Sequence, residues 1–347
     1  MNQLLRDLAQ ERSLWMLFTK EEEYAPLSLD KHGRMPSSAS VHGPPFVPAV
    51  SQFLVRRGMK IEYPNGGQYA LCLTHDIDFL NYWSYFRLTR ELGRSEMLRR
   101  VMNYASRQVS GVWNFEDIGA IEDRFGSEST FFIMSVDFVN DDFNYLTEDI
   151  VSDFSCLSAS RWEIGLHGSR SACSDVSGIA SEKRSLERTF GRSIDGYRNH
   201  FLKFVIPDSW RYLHENEFKY DSTLGYADSI GFRNGMCHPF QPYDLNTRST
   251  IRVLEIPLTI MDQTLFDYMK YDFDTAWKAV ESVIKTVKEN TGVLTLLWHN
   301  TYMKGKYGDF YRRILKKGMS ENAWMTTAGN VARWWSKNSP LNDGDQQ

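Results

Sequence analysis

From Leu71 onward the chain alternates short apolar runs with longer amphipathic stretches. The runs 71–74 (LCLT), 129–134 (STFFIM), 163–166 (EIGL), 194–197 (IDGY), 219–222 (KYDS), 251–256 (IRVLEI) and 293–298 (VLTLLW) are bounded by turn residues and predict buried strands. Apolar residues at helical spacing predict helices over 85–109, 115–125, 145–159, 178–190, 208–217 and 275–290, and a last one over 322–337. Strands alternating with helices imply an α/β fold on a parallel sheet, either open or closed into a barrel. Residues 1–66 break this rhythm. Their stretch HGRMPSSASVHGPPFVP is rich in Pro, Ser and Gly and predicts irregular loop. The expected organisation is an N-terminal extension over 1–66 packed on a main domain over 67–338, then a frayed tail over 339–347.

The informative feature is where polar groups fall against this pattern. In LCLTHDIDFL, four strand-like residues lead directly into His75, Asp76 and Asp78. His167 follows the third predicted strand in EIGLHGSRS, Arg198 and His200 follow the fourth in GYRNHFLKF, and His299 and Asn300 follow the seventh in LLWHN. In parallel α/β folds the carboxyl ends of the strands open on one face, where ligands bind. Taken singly, Asp76 or Asp78 reads as a helix N-cap, His167 as a loop histidine, Arg198 as an ion-pair partner and His299 as core. Taken together, four strand ends deliver carboxylates, imidazoles and a guanidinium to one rim. His32, His42, His214 and His238 lack this placement.

Composition narrows the classes. Of 347 residues, 42% are hydrophobic and 24% charged, the balance of a soluble globular protein. A net charge of −4 offers no general attraction to nucleic acid or an acidic membrane. Cys72, Cys156, Cys173 and Cys237 form no C-x-x-C pair, which argues against a zinc knuckle or a thioredoxin-like site. No apolar stretch approaches the ~18 residues of a membrane span, and MNQLLRDLAQERSLWMLF lacks the apolar block of a signal peptide, so a cytoplasmic protein is expected. The insertion STLGYADSIGFRNGMCHPFQPYDLNTRS carries Tyr226, Phe232, Phe240 and Tyr243, which either stack on a sugar substrate or pack the loop down.

These residue types suit one chemistry. A carboxylate with neutral imidazoles makes an N/O site for Zn²⁺ or a similar divalent cation. Such a cation lowers the pKa of a water and polarises a carbonyl oxygen. A second carboxylate can take the water's proton, an opposing imidazole can protonate the leaving group, and an arginine beside the base keeps it ionised. These are the parts of a metal-assisted amide or ester hydrolysis.

The five segments, in order from Leu71 to His299, resemble the motifs of the polysaccharide deacetylase superfamily (NodB-homology domain, carbohydrate esterase family four), in the bacterial branch with a T-H-D-[IV]-D first motif. Residues 1–66 lie outside the resemblance. It implies a distorted (β/α)7 barrel and metal-dependent removal of an N- or O-acyl group from a sugar. The expected cytoplasmic location in turn favours a nucleotide- or lipid-linked sugar, or another precursor in surface-polysaccharide assembly, over finished cell wall. The resemblance also implies Asp76 as catalytic base, Asp78 and His167 as metal ligands, Arg198 as the group orienting the base, and His299 as general acid. LEIPLTIMD, with Pro257, resembles the segment that shapes the pocket between them. The usual second histidine, four residues after the first, is Ser171 here. The candidate for the missing ligand is His200, with His75 as second choice, although His75 alternates with Asp76 and Asp78 and should face away. The substitution leaves room for a carbohydrate-binding protein that no longer catalyses. An amidohydrolase acting on a small non-sugar amide, as in ureide-processing relatives of the fold, is the third reading.

Overall fold

In a computed structural model of the chain, the described residues are 2–26, 28–80, 101, 104–105, 107, 111–135, 145–156 and 162–341. Eleven strands run through them: β1 (Ala70–Ile77), β2 (Ser129–Ile133), β3 (Trp162–Gly168), β4 (Gly196–Asn199), β5 (Tyr220–Asp221), β6 (Tyr243–Asp244), β7 (Ser249–Thr250), β8 (Leu254–Glu255), β9 (Ile260–Met261), β10 (Val293–Leu297) and β11 (Trp324–Thr326). Nine of them form one sheet in the order β8-β5-β4-β3-β2-β1-β10-β9, with β11 beside the first half of β1. Every pairing in it is parallel. The remaining two, β6 and β7, make a small antiparallel hairpin.

The sheet curls into a half-barrel, a distorted (β/α) barrel. Both faces of its central strands are covered, so β1, β2 and β10 are buried at every residue, which is why they read as continuous apolar runs rather than alternating ones. β8 and β9 stand at opposite edges although residues 256–259 alone separate them. That segment spans the gap between the edges. Ile256 N–H donates to the Asp221 carbonyl on one side (2.8 Å), and Thr259 N–H donates to the Thr295 carbonyl on the other (3.1 Å). The crossing carries the chain directly to Asp262, beside the end of β10.

Helices cover the outside. The longest among the described residues, Phe273–Glu289, starts where Asp272 accepts a hydrogen bond from Thr275 N–H (2.7 Å). It buries Ala276, Trp277, Val280, Val283, Ile284 and Val287, one stripe at helical spacing; burying each of its valines or its isoleucine contributes roughly 1.5–3 kcal/mol. Each of the seven predicted strand segments overlaps a strand of the sheet. Beyond the prediction lie β9, hidden behind Pro257, and β11, which occupies the start of the predicted helix over 322–337; that helix begins at Ala328. The helix Gly305–Ser320 is also additional, its apolar stripe of Phe310, Tyr311, Ile314 and Leu315 obscured by Gly308 and Gly318. The predicted helix over 85–109 lies outside the described residues apart from 101, 104–105 and 107.

Residues 2–66 hold three short helices, Gln3–Gln10, Arg12–Thr19 and Ala49–Arg56. Their Leu8, Phe18, Val50 and Leu54 belong to the same hydrophobic cluster as the barrel strands. Fully buried Lys20 pairs with Glu22 and Glu23 (2.6 and 3.4 Å), and Glu23 in turn pairs with Arg233. A buried charge is tolerable only when it is paired in this way. Among the described residues, no helix is long and apolar enough to cross a membrane.

Candidate metal centre

Side chains alternate along a strand, so Thr74 and Asp76 of β1 share one face and His75 takes the other. Arg198, on β4, reaches that first face. Its Nη1 donates to Thr74 Oγ1 (2.7 Å) and Asp76 Oδ1 (3.0 Å), its Nε to the Ser222 carbonyl (2.8 Å) and its Nη2 to Ser222 Oγ (2.8 Å). The guanidinium lies 4.5 Å from the centre of the Phe132 ring and is entirely buried. Four directed hydrogen bonds, one of them to a carboxylate, compensate a cation that would otherwise be prohibitive to bury. Asp76 Oδ1 is thereby held, and its Oδ2 turns toward His167 Nε2 (3.7 Å).

Asp78 lies one residue past the end of β1, where three imidazoles converge. His167 Nε2 is 3.2 Å and His200 Nε2 3.8 Å from Asp78 Oδ1, and His299 Nε2 is 3.6 Å from Asp78 Oδ2. Asp78, His167 and His200 are all buried, and each offers a donor atom within 4.8 Å of the others. His167 sits in register with Arg198, and its Nδ1 donates to the Arg198 carbonyl (3.0 Å). A carbonyl only accepts, so Nδ1 carries the hydrogen and the neutral ring presents its Nε2 lone pair to Asp78. Gly168 follows because the Tyr197 ring fills the space beside it; a Cβ there would lie 2.0 Å from the Tyr197 hydroxyl.

The electrostatics favour positive charge in this space. Burial would raise the Asp78 pKa, but His200, then His167 and His299, hold it well below the usual carboxylate range. Burial likewise opposes charging of His167, and the Asp76 and Asp78 carboxylates overcome it and raise its pKa. A field that attracts a proton attracts a cation in its place. Asp78 Oδ1 and His167 Nε2 are buried without a hydrogen-bond partner, a costly state unless something sits between them. One carboxylate and two imidazoles, buried and with their donor atoms converging, fit a divalent cation.

His299, two residues past β10, closes the site opposite Asp76. Asp262 follows β9 and grips it twice: His299 N–H donates to Asp262 Oδ2 (2.5 Å) and His299 Nδ1 meets Asp262 Oδ1 (2.7 Å). Burial alone would lower the His299 pKa; Asp262, with smaller contributions from Asp78 and Asp76, instead pushes it up to about 10. Asp262 is absent from the residues singled out in the sequence. The strand-end logic that flagged the others applies to it, but its two-residue strand sits unseen inside LEIPLTIMD.

The comparisons bear on this architecture. A candidate polysaccharide deacetylase from Mycobacterium smegmatis superposes with a TM-score of 0.55 at 17% identity, covering 84% of this chain and 98% of its own. Puue allantoinase superposes with a TM-score of 0.57 at 16% identity, covering 91% of this chain and 99% of its own. The chain shares their fold. No family model matches the sequence, and no curated protein does.

The structure thus brings together Asp76, Asp78, His167, Arg198, His200 and His299. Ser171 is exposed, its Oγ 3.3 Å from Ser169 Oγ, so the position of the usual second histidine contributes nothing to the centre, and His200 faces Asp78 in its stead. His75 does point away. Its Nδ1 lies 2.6 Å from the Trp298 carbonyl and its Nε2 2.9 Å from Glu122 Oε1, in a buried network with Tyr311. None of the four insertion aromatics lines the cavity at the candidate metal centre. Tyr226, Phe232 and Phe240 are buried, and half-buried Tyr243 packs its ring 4.9 Å from Trp15. Their loop folds inward against the N-terminal helices because that is where its apolar surface finds cover. The cavity at the candidate metal centre, about 100 Å³, is lined beside the polar cluster by Phe79, Phe201, Tyr268, Leu202, Met261 and Leu297, together with Arg34 and Gln263.

Proposed function

We propose that this protein is a metal-dependent hydrolase that removes an N-acetyl or other acyl group from an amino sugar or sugar precursor. The observation that carries this reading is the convergence of Asp78, His167 and His200 within one coordination sphere's reach, flanked by an Asp76–Arg198 pair and an Asp262–His299 pair. Asp78, His167 and His200 would hold the cation, Zn²⁺ being the ion that suits two nitrogens and one oxygen. When bound, it supplies Lewis acidity to a water and to the acyl carbonyl.

The chain's own groups do the rest. Arg198 fixes one oxygen of Asp76, and the other takes a proton from the water as its oxygen forms a bond to the carbonyl carbon. Asp262 favours the imidazolium form of His299, with Nδ1 tied to Asp262 and the ring lining the cavity. His299 gives its Nε2 proton to the amine nitrogen as the C–N bond breaks, leaving a carboxylate and a free amine. The apolar wall of Leu202, Met261 and Leu297 keeps bulk water from the acyl end. Replacing Asp76 by Asn should lower turnover of N-acetylated amino sugars by roughly 10²–10⁴-fold while bound metal stays stoichiometric. A fully active Asp76→Asn variant refutes the role of the base.

The modest cavity volume and the likeness to an allantoinase fold favour a small non-sugar amide as the second reading. A panel of acetylated amino sugars against simple amides and ureides separates the two.

A further inference from the structure

His200 reaches the metal centre from a strained turn. It is followed by Phe201 at φ +61° and Leu202 at φ +54°, two consecutive non-glycine residues in the left-handed region. Such conformations persist only where the surroundings over-determine them. The surroundings here come largely from outside the barrel. Arg34 Nη1 donates to the Phe201 carbonyl (2.7 Å). The His32 ring stacks on Phe201 at 4.7 Å and 14° between planes, while His200 itself stacks on Phe201 at 3.9 Å and 23°.

The arginine is itself built in. Asp30 Oδ1 accepts from His32 N–H (2.8 Å) and Arg34 N–H (2.9 Å), Asp30 Oδ2 accepts from Arg34 Nε (2.8 Å), and Asp30 N–H closes the turn on the Arg34 carbonyl (2.8 Å). Gly33, at φ +77°, permits the reversal. Arg34 is 6% exposed, and its guanidinium also lies 5.6 Å from the centre of the Tyr268 ring on the cavity wall. Asp30 thus satisfies most of the guanidinium's charge, so a substrate anion is not what this arginine is arranged to meet; its Nη1 is committed to the backbone next to His200.

Resting on the proposed cation site, we propose that the Asp30–Arg34 turn of the N-terminal extension is a working part of the metal centre, with Arg34 a positioning residue that holds His200 toward Asp78 through the Phe201 carbonyl. The barrel alone would then present a two-ligand centre, and the third ligand would depend on docking of the extension.

The test titrates the full-length protein, stripped of metal, with Co²⁺, following its visible absorption and competition with a chelator. The parent is compared with His200→Ala, Arg34→Met, the double variant and Asp30→Asn, with circular dichroism as a check on folding. Arg34→Met is expected to weaken Co²⁺ binding by roughly 10–100-fold, the usual effect of removing a group that orients a ligand. In the His200→Ala background it should weaken binding no further. Parent-like affinity in Arg34→Met beside weakened His200→Ala overturns the proposal while leaving the cation site intact. Equal losses in both backgrounds overturn it too, since they indicate a general structural role. A parent that binds no Co²⁺ refutes the cation site itself. Should Arg34→Met not fold, Asp30→Asn, which loosens the same arginine without removing it, must weaken binding only when His200 is present; otherwise the proposal is wrong.

Discussion

The grip of Asp262 on His299 can be tested without knowing the substrate. In Asp262→Asn the side chain keeps its shape and loses its charge. A rise of the His299 pKa from the ordinary 6.5 to about 10 corresponds to roughly 5 kcal/mol in favour of the imidazolium, at ~1.4 kcal/mol per pH unit. Asp262 contributes most of the attraction, from 2.7 Å and with both groups buried; a bound cation beside Asp78 would cancel much of the remainder. Removing one close carboxylate should therefore lower the His299 pKa by roughly one to three pH units. The assay is an NMR titration of the His299 ring in the metal-free protein, parent against variant. The sign for stability follows from linkage: a raised folded-state pKa stabilises fully below 6.5 and loses that contribution as pH rises through about 10. Denaturant unfolding should thus show the variant weakest, relative to the parent, at pH 6, with the gap narrowing toward pH 10. Asparagine also cannot accept from both His299 nitrogens at once, which adds roughly 1–3 kcal/mol of pH-independent cost. A parent His299 that titrates near 6.5, or a variant that still titrates near 10, refutes the reasoning.

Three further outcomes are expected. Arg198→Met leaves the Asp76 carboxylate buried without its partner and should cost roughly 3–5 kcal/mol in urea unfolding; a variant as stable as the parent would mean that Arg198 is not compensating Asp76. Burial lowers the His238 pKa to about 4, so the unfolded chain binds a proton that the fold refuses, and stability should fall by up to roughly 3 kcal/mol as pH drops from 6.5 to 4. His238→Gln should flatten that acid limb, and an unchanged limb would assign it to other groups. Phe240→Ala should destabilise by roughly 3–5 kcal/mol with KM unchanged, whereas Tyr268→Ala should raise KM with little loss of stability; the reverse pattern would restore Phe240 as a substrate contact.

What could be read along the chain was set by local periodicity. Strands covered on both faces are largely apolar, so β1, β2, β3 and β10 announced themselves, and with them the polar residues at or just past their carboxyl ends. Asp76, Asp78, His167, Arg198, His200 and His299 stood out because charge directly after an apolar run is conspicuous in one dimension. What remained hidden depended on distance in space. Asp262 follows a two-residue strand whose position comes from a segment bridging both edges of the sheet, a property of closure that no local pattern encodes. The insertion aromatics Tyr226, Phe232 and Phe240 carry the same composition whether they line a pocket or a core, and only packing against the N-terminal helices sent them inward. His200 is one of several rim positions in the sequence, and only the fold brings its Nε2 to 3.8 Å from Asp78 Oδ1. Sequence sets which groups a chain can offer at its strand ends; side-chain direction and partners arise from contacts between residues far apart in the chain.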